Sequence, residues 1–552
     1  MPVPYIIAMV IVVYIAFYTV QHFRNKRHLR RYIRESFGKP PEKRRSDKLE
    51  SVRKYWRACA AKFPAYRSVD ENTWYDLEMD LFFDAINTTW SSVGSEVLYA
   101  RLHRTDAPEL EPLIQAFVED EALRTEVAYC LHDIGKENHH RVDEFLFDPD
   151  AQKPVGYYPA QSLVPLIGMV LAIFQPAAGM IVVSLGIAWN LYTRHKYRFQ
   201  VEGGIEAVRY ASRAISIGKN IESLLMPTFP EETLQLKEAL EPLKAVPSKM
   251  PLKMSSGDPI QMLLEYLNYA LLLDFNRYNR ALSYLIAAPD ALQKVWEAIG
   301  HVEIALAVAS LEKRTDVCIP VFHDEYSIVA QDLVHPLVKD AVPNPVDFSI
   351  STIVSGSNAS GKSTYVKAIA ISAITSQNLG RAFAKSFSMK RGQVLTSMAI
   401  RDNIYKGDSY FVAEIKSLKR LIDASSRGGV AYLFIDEILK GTNTVERIAA
   451  SHALLRWFEQ QGSLVISATH DIELTELLAD RMKNIHFRET VTQERITFDY
   501  QVKSGPTRTT NAINLLRHYE FPPAITERAQ ALAERFLLHR SWSDEDAKSD
   551  FS

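Results

Sequence analysis

Cysteine is nearly absent: the 552 residues hold three, Cys59, Cys130 and Cys318, far apart and with no C-x-x-C pair. That excludes a disulfide framework and a cysteine-built zinc site, and it fits a reducing compartment. Net charge is almost absent as well. A formal charge of −2 gives no global field that would draw the chain to nucleic acid, so charge is informative only where it clusters. Strand signals are scarce from about Leu49 to Phe147, where helical periodicity prevails, and the helical patterning returns from Val201 to Leu311. Charged side chains are missing altogether between Val155 and Tyr192.

What is present starts with length. At 552 residues and 47% apolar content, the chain can build several domains with real cores. Residues Pro4 to Val20 are almost wholly apolar and are followed by a basic run from His22 to Arg31. A cleaved signal peptide carries its charges before the apolar core, so this order predicts a membrane anchor over residues 1–22, with the N-terminus outside and the rest of the chain starting in the cytoplasm. Residues 23–50 read as a basic linker near anionic lipid, and 51–154 as a helical domain. The uncharged stretch 155–193 is too long for one untilted span and is broken near its middle by Pro176. A single crossing would place the C-terminal half outside the cell, whereas a hairpin returns it and keeps Arg194 to Arg198 inside; the expectation is a hairpin of two short spans or a re-entrant form.

The chemistry is concentrated later. Gly356-Ser357-Asn358-Ala359-Ser360-Gly361-Lys362-Ser363-Thr364 fits the P-loop pattern G-x-x-x-x-G-K-[ST]. The apolar run Ile350 to Val354 before it predicts a strand, and Tyr365 to Ala370 after it a helix. In that setting backbone N–H groups surround phosphate oxygens, Lys362 holds the β- and γ-phosphates of ATP, and Ser363 offers a hydroxyl to Mg²⁺. About seventy residues on, a strand over Ala431 to Ile435 ends in Asp436-Glu437, as a Walker B strand does. Asp436 is the second expected Mg²⁺ ligand, and Glu437 the expected general base that orients the attacking water. A third strand, Ser463 to Ala468, ends in Thr469-His470, where the histidine can sense the γ-phosphate.

Another string, His132-Asp133-Ile134-Gly135-Lys136 with His139 and His140 nearby, is similar to the metal-binding core of HD-type phosphohydrolases. No upstream histidine and no later aspartate in fixed packing accompany it, so no metal is assigned there.

From Gly300 onward the chain resembles the ATPase core of the MutS mismatch-repair family. The likeness runs through Gly300 to Ala307, His335-Pro336-Leu337, Val342-Pro343-Asn344 and the P-loop, which keeps Asn358 of the family's GPNMGGKST but has Ser357 and Ala359 in place of Pro and Met. It continues through Gly407 to Ile415, Asp436 to Thr444 (the family's DEIGRGTST) and Ala468-Thr469-His470. The resemblance implies an α/β P-loop ATPase domain over 319–505, preceded by an all-α lever domain over 194–318 and followed by a helix-turn-helix dimer element over 506–552, with Pro523 near a helix start and Thr526 as a cap. It also implies a homodimer with composite sites, Ser409 of each chain acting in trans on the other's nucleotide. Asn511-Ala512 stands where the family usually has Tyr-Gly.

Two function classes follow. One is a membrane-anchored MutS-like ATPase that binds DNA or a repair assembly with other repair proteins; the mismatch-reading domain has no room here, so binding is not expected to be mismatch-specific. The other is a P-loop ATPase that transmits ATP-driven motion to a membrane partner without DNA. The apolar hairpin lies where the family's clamp interrupts the levers, which places the lever ends in the bilayer.

Overall fold

A computed structural model of the chain describes residues 3–41, 47–64, 69–105, 109–148, 153–156, 158–247, 266–357, 360–398, 410–491, 496–507 and 512–539. It is a mixed α/β protein of two compact units. The first comprises Met1–Tyr66, Phe83–Arg101 and Pro108–Arg314; the second comprises Arg67–Phe82, Leu102–Ala107 and Thr315–Ser552.

The first unit is helical. Its N-terminal helix runs unbroken over Val3–Ser36, past the expected boundary at residue 22, because after Pro4, which the first helical turn tolerates, neither glycine nor proline occurs before Gly38 and Pro40. The basic end of that helix is pinned by Arg30, whose guanidinium donates two hydrogen bonds to Glu126, at 2.6 and 2.8 Å, over the ring of Tyr129. The long helix Pro289–Arg314 supplies the core, burying Leu292, Trp296, Ile299, Ile304 and Val308. Within this core His140 pairs with Glu96 at 2.9 Å and stacks on Tyr210, while the Trp296 indole donates to the other oxygen of Glu96. The close approach offsets part of the penalty that burial places on two ionisable groups.

The apolar stretch folds as two antiparallel helices, Pro159–Phe174 and Pro176–Lys196. Pro176 opens the second helix rather than kinking a single one, since a proline tolerates the first helical turn and blocks continuation from the preceding residue. Among the described residues Pro176–Lys196 is the helix long and apolar enough to cross a membrane.

The second unit carries the strands, which in chain order are β1 (Val321–Phe322), β2 (Ile328–Leu333), β3 (Asn344–Phe348), β4 (Thr352–Ser355), β5 (Ser386–Met389) and β6 (Gln393–Ser397). They continue with β7 (Ala431–Asp436), β8 (Leu464–Thr469), β9 (Lys483–His486), β10 (Glu489–Val491), β11 (Ile496–Phe498) and β12 (Lys503–Ser504). Six of them form the main sheet, in the order β12-β9-β4-β8-β7-β6, parallel except for β12. A smaller sheet has the order β1-β5-β2-β3. Parallel strands covered on both faces read as continuous apolar runs, and β4, β7 and β8 are buried along almost their whole length.

Residues 67–82 lie within the block read from sequence as helical, and they group with this second unit for a specific reason. The short helix Glu71–Asp76, N-capped by Asp70, covers the edge strand β6. Buried Asp76 accepts from the Thr396 hydroxyl at 2.7 Å and from Met398 N–H at 2.9 Å, and the Thr73 hydroxyl accepts from Thr396 N–H. An otherwise open strand edge is thereby closed. At the C-terminus, helices Ala512–His518 and Pro523–His539 follow one another. Thr526 lies inside the first turn of the second helix, its hydroxyl donating to Pro523 O, so it is not the helix cap expected from sequence.

Candidate functional site

Local sequence places the loop. β4 is held between β8 and β9 and ends at Gly356, where φ is +141° and a Cβ would stand 2.7 Å from Phe487 O. Gly361, with φ of +101°, closes the loop; both positions require the conformational freedom of glycine. The helix Lys362–Asn378 starts immediately after. Its first-turn N–H groups and those of the loop present partial positive charge to any anion placed there. The Lys362 ammonium is folded into the loop and donates to Gly356 O at 2.6 Å and Ser357 O at 2.7 Å. Ser360 ties the turn through a 2.8 Å bond from its hydroxyl to Ser357 O. Asn358 and Ala359 lie outside the described residues, as does Ser409.

The neighbouring strands bring the carboxylates. Ser363 donates to Asp436 Oδ2 at 2.6 Å, and this pair of hard oxygens suits Mg²⁺, which takes its remaining ligands from water and phosphate. Next along the chain, Glu437 adopts φ of +57°, a left-handed conformation costly for a side chain with a Cβ. Its backbone N–H donates to Ala468 O at 2.9 Å, and its carboxylate is aimed at the end of β8. There Oε1 meets His470 Nδ1 at 3.1 Å, while Oε2 meets Lys440 Nζ at 2.8 Å. The hydrogen bond from His470, with Lys440 adding to it, holds the Glu437 carboxyl down at about 2, and the same bond raises His470. Thr364, the last residue of the sequence pattern, lies in the first turn of the helix.

Four contributions were invisible to motif reading. Glu414, almost fully buried, accepts from the backbone N–H of Lys440 at 3.3 Å and from that of Leu439, bracing the turn that carries Glu437 and Lys440. Burial raises its pKa. Arg447 donates to both oxygens of Asp471, at 2.9 and 2.6 Å, fixing the residue beside His470. Asn344 accepts from Val502 N–H and donates to Tyr500 O, and this strut sets the Tyr500 ring over Gly361, with Cδ1 3.1 Å from where a Cβ would stand. The V-P-N string and the Gly407 to Ile415 stretch covered Asn344 and Glu414 without indicating these partners. The other string singled out, His132 to Lys136, is a helix end: Gly135 caps the helix Glu121–Ile134 with φ of +72°, and Lys136 pairs with Asp47 at 2.9 Å. Among the described residues no group of three His, Cys, Asp or Glu could hold a metal.

The buried central strand, the glycine-bounded turn into a helix and the side chains converging at the carboxyl ends of β4, β7 and β8 define a parallel α/β domain with a polar site at its strand ends. Residues 352–537 match the family described as MutS domain V, and over this C-terminal stretch the chain resembles proteins of the MutS family. It is similar to the DNA mismatch repair protein MutS of Natronomonas pharaonis, 27% identical over 276 residues covering 47% of this chain and 31% of the relative. The proteins of that name from Lactobacillus acidophilus (27% over 259 residues, 44% of this chain and 30% of the relative) and Staphylococcus carnosus (25% over 284 residues, 48% and 32%) are similar to it as well. The chain thus matches about a third of the length of these relatives.

Proposed function

We propose that the protein is a P-loop ATPase of MutS type that binds and hydrolyses ATP with Mg²⁺ and works as a homodimer held at a membrane, acting on DNA or a DNA-repair assembly. The observation that carries this reading is the convergence of Ser363, Asp436 and Glu437 on the mouth of the loop that holds Lys362.

The residues divide the work as phosphoryl transfer requires. When ATP enters, the Lys362 ammonium exchanges its two carbonyl acceptors for phosphate oxygens. Ser363 and Asp436 would hold Mg²⁺, which when bound would neutralise phosphate charge. Glu437 accepts a hydrogen bond from the attacking water and takes its proton, with His470 positioned against the same carboxylate. Tyr500 offers an aromatic face for the purine base. Ser409, supplied by the second chain, donates to charge on the γ-phosphate, so hydrolysis depends on dimer geometry.

Membrane attachment is supported by the uncharged stretch 155–193 and by the exposed apolar side chains of its hairpin, among them Ile167, Phe174, Ile181 and Leu185. With basic flanks at His22–Arg31 and Arg194–Arg198, the reading places the N-terminus outside and the ATPase domain in the cytoplasm at the cell membrane. The same hairpin favours a second reading, in which ATP-driven motion is delivered to a membrane partner without DNA.

The test is the ATPase rate of the detergent-solubilised dimer with and without homoduplex, mismatched and branched DNA, with Glu437→Gln as the blank. Stimulation by a DNA supports the first reading; dependence on lipid with no response to any DNA supports the second. Absence of Mg²⁺-dependent turnover above the blank overturns both.

A further inference from the structure

The hairpin has an inner seam, an outer surface and a fixed base. The seam is set by small residues: a Cβ on Gly179 would stand 2.2 Å from Ala172 N, and one on Gly168 would stand 2.7 Å from Val183 N. The two helices therefore touch along their backbones, and the larger apolar side chains turn outward. Leu163, Ile167, Val170, Ile173, Met180 and Leu185 are all exposed.

The base is a polar layer. Gln161 donates to the Thr193 hydroxyl at 2.7 Å and to Trp189 O, Asn190 donates to Ala270 O at 2.6 Å, and Asn276 donates to the Ser162 hydroxyl at 2.7 Å. These bonds tie the hairpin to residue 270 and to the helix Leu273–Ala287 of the same unit, so residues 158–162 and 189–193 belong to the protein body. What projects beyond it runs from Leu163 to Phe174 and back from Pro176 to Ser184 and on to Ala188. At 1.5 Å per residue each arm reaches about 18–20 Å, whereas the hydrocarbon of a bilayer is about 30 Å thick.

Charge and aromatic placement are one-sided. Arg194, His195, Lys196 and Arg198 all lie at the base, with exposed Trp189 and Tyr192 just inside them, the arrangement that seeks a headgroup layer. The tip offers nothing of the kind: Ile173 and Phe174 are each 77% exposed, and Gln175 and Pro176 follow.

We propose that this hairpin is a monotopic anchor, entering the bilayer from the side of its basic base, burying its apolar rows among acyl chains, and ending inside the hydrocarbon without emerging on the far face. Its partner is an anionic lipid surface. Pulling the tip through would drag the Gln161, Asn190 and Asn276 layer and the cations Arg194, Lys196 and Arg198 into hydrocarbon, which their polar groups oppose. The inference rests on the membrane reading above and sharpens it.

The experiment uses the full chain in sealed vesicles containing anionic lipid, with Gln175→Cys or His195→Cys, both at exposed positions, added to the native cysteines. A membrane-impermeant maleimide is applied from each face, and labelling is read as the increment over wild type. The proposal expects no increment at 175 from either face until detergent is added, and full labelling at 195 from the ATPase face alone. Labelling of 175 from the opposite face overturns it in favour of two complete spans. Labelling of 175 from the ATPase face overturns it in favour of a hairpin outside the lipid. The membrane reading itself is tested separately: wild-type protein that fails to sediment with vesicles after alkaline carbonate extraction overturns that reading whatever the tip does.

Discussion

Lys440 holds the carboxylate of Glu437: its ammonium lies 2.8 Å from Oε2, three residues along the same turn. The residue expected to polarise water is thus paired with a cation from its own loop, and a second contact from His470 occupies Oε1. Such a carboxylate stays ionised far into acid but is a weak proton acceptor.

A change at Lys440 is expected to move the pH profile. Removing an adjacent cation raises a carboxyl pKa, so Lys440→Ala should shift Glu437 upward from about 2 towards its ordinary value and move the acid limb of kcat to higher pH by about one unit. The sign for stability agrees. A depressed carboxyl pKa contributes stability above the unfolded value and loses it as pH falls through the folded one, so acid unfolding of the variant should begin at higher pH. An unchanged acid limb would separate Lys440 from the base.

Glu414 is expected to act as a positioning residue. Its carboxylate braces Leu439 and Lys440 N–H, so Glu414→Ala should lower kcat by about tenfold or more through loss of orientation while leaving nucleotide KM nearly unchanged. Glu414→Gln keeps one acceptor oxygen and should recover much of the rate. Equal losses in both variants, tracking a fall in Tm, would indicate a purely structural role.

The nucleotide steps should separate by mutation. Lys362→Ala is expected to abolish nucleotide binding or turnover, whereas Glu437→Gln should bind ATP and accumulate a closed dimer without hydrolysis. Ser409→Ala should cost about 10²–10³ in turnover if the hydroxyl donates to transition-state charge. A Ser409→Ala dimer with wild-type rates would refute action in trans.

Tyr500 should matter for affinity more than for rate. Loss of base stacking is worth about 1–3 kcal/mol, so Tyr500→Ala is expected to raise the ATP Kd roughly tenfold, with Tyr500→Phe close to wild type. Isothermal titration with the Glu437→Gln background reads this directly, and equal affinities would remove the ring from the site.

Asp76 offers a stability test remote from the site. Asp76→Ala leaves Met398 N–H without its buried acceptor and frees Thr396, which should destabilise the second unit by about 1–3 kcal/mol. Denaturant unfolding followed at the second unit checks it; an unchanged midpoint would mean that the edge of β6 is satisfied otherwise.

Much of the site was legible because its parts are local. A strand, a glycine turn and a helix start are encoded within fifteen residues around Gly356 and Gly361, and Asp436-Glu437 and Thr469-His470 each close an apolar run of their own. Asn344, Glu414, Arg447 and Tyr500 were not legible in role, since their partners lie far along the chain or bond through backbone atoms that carry no residue signature. Thr526 was misread for a related reason: a threonine near a helix start caps it only if it precedes the first turn, and the backbone placed Pro522 there, with Pro523 as the first helical residue.

By itself the sequence determined the local elements, the order of the chemistry along the chain and the break at Pro176, because periodicity, glycine and proline act over a few residues. The tertiary structure alone decided that the helix Glu71–Asp76 closes the edge of β6, that the Tyr500 ring covers Gly361, and that a polar layer ties the base of the hairpin to the rest of its unit about 18 Å from its tip. Each of those depends on hydrogen bonds between segments tens to hundreds of residues apart, whose pairing is chosen by which buried polar groups and apolar faces must be satisfied together.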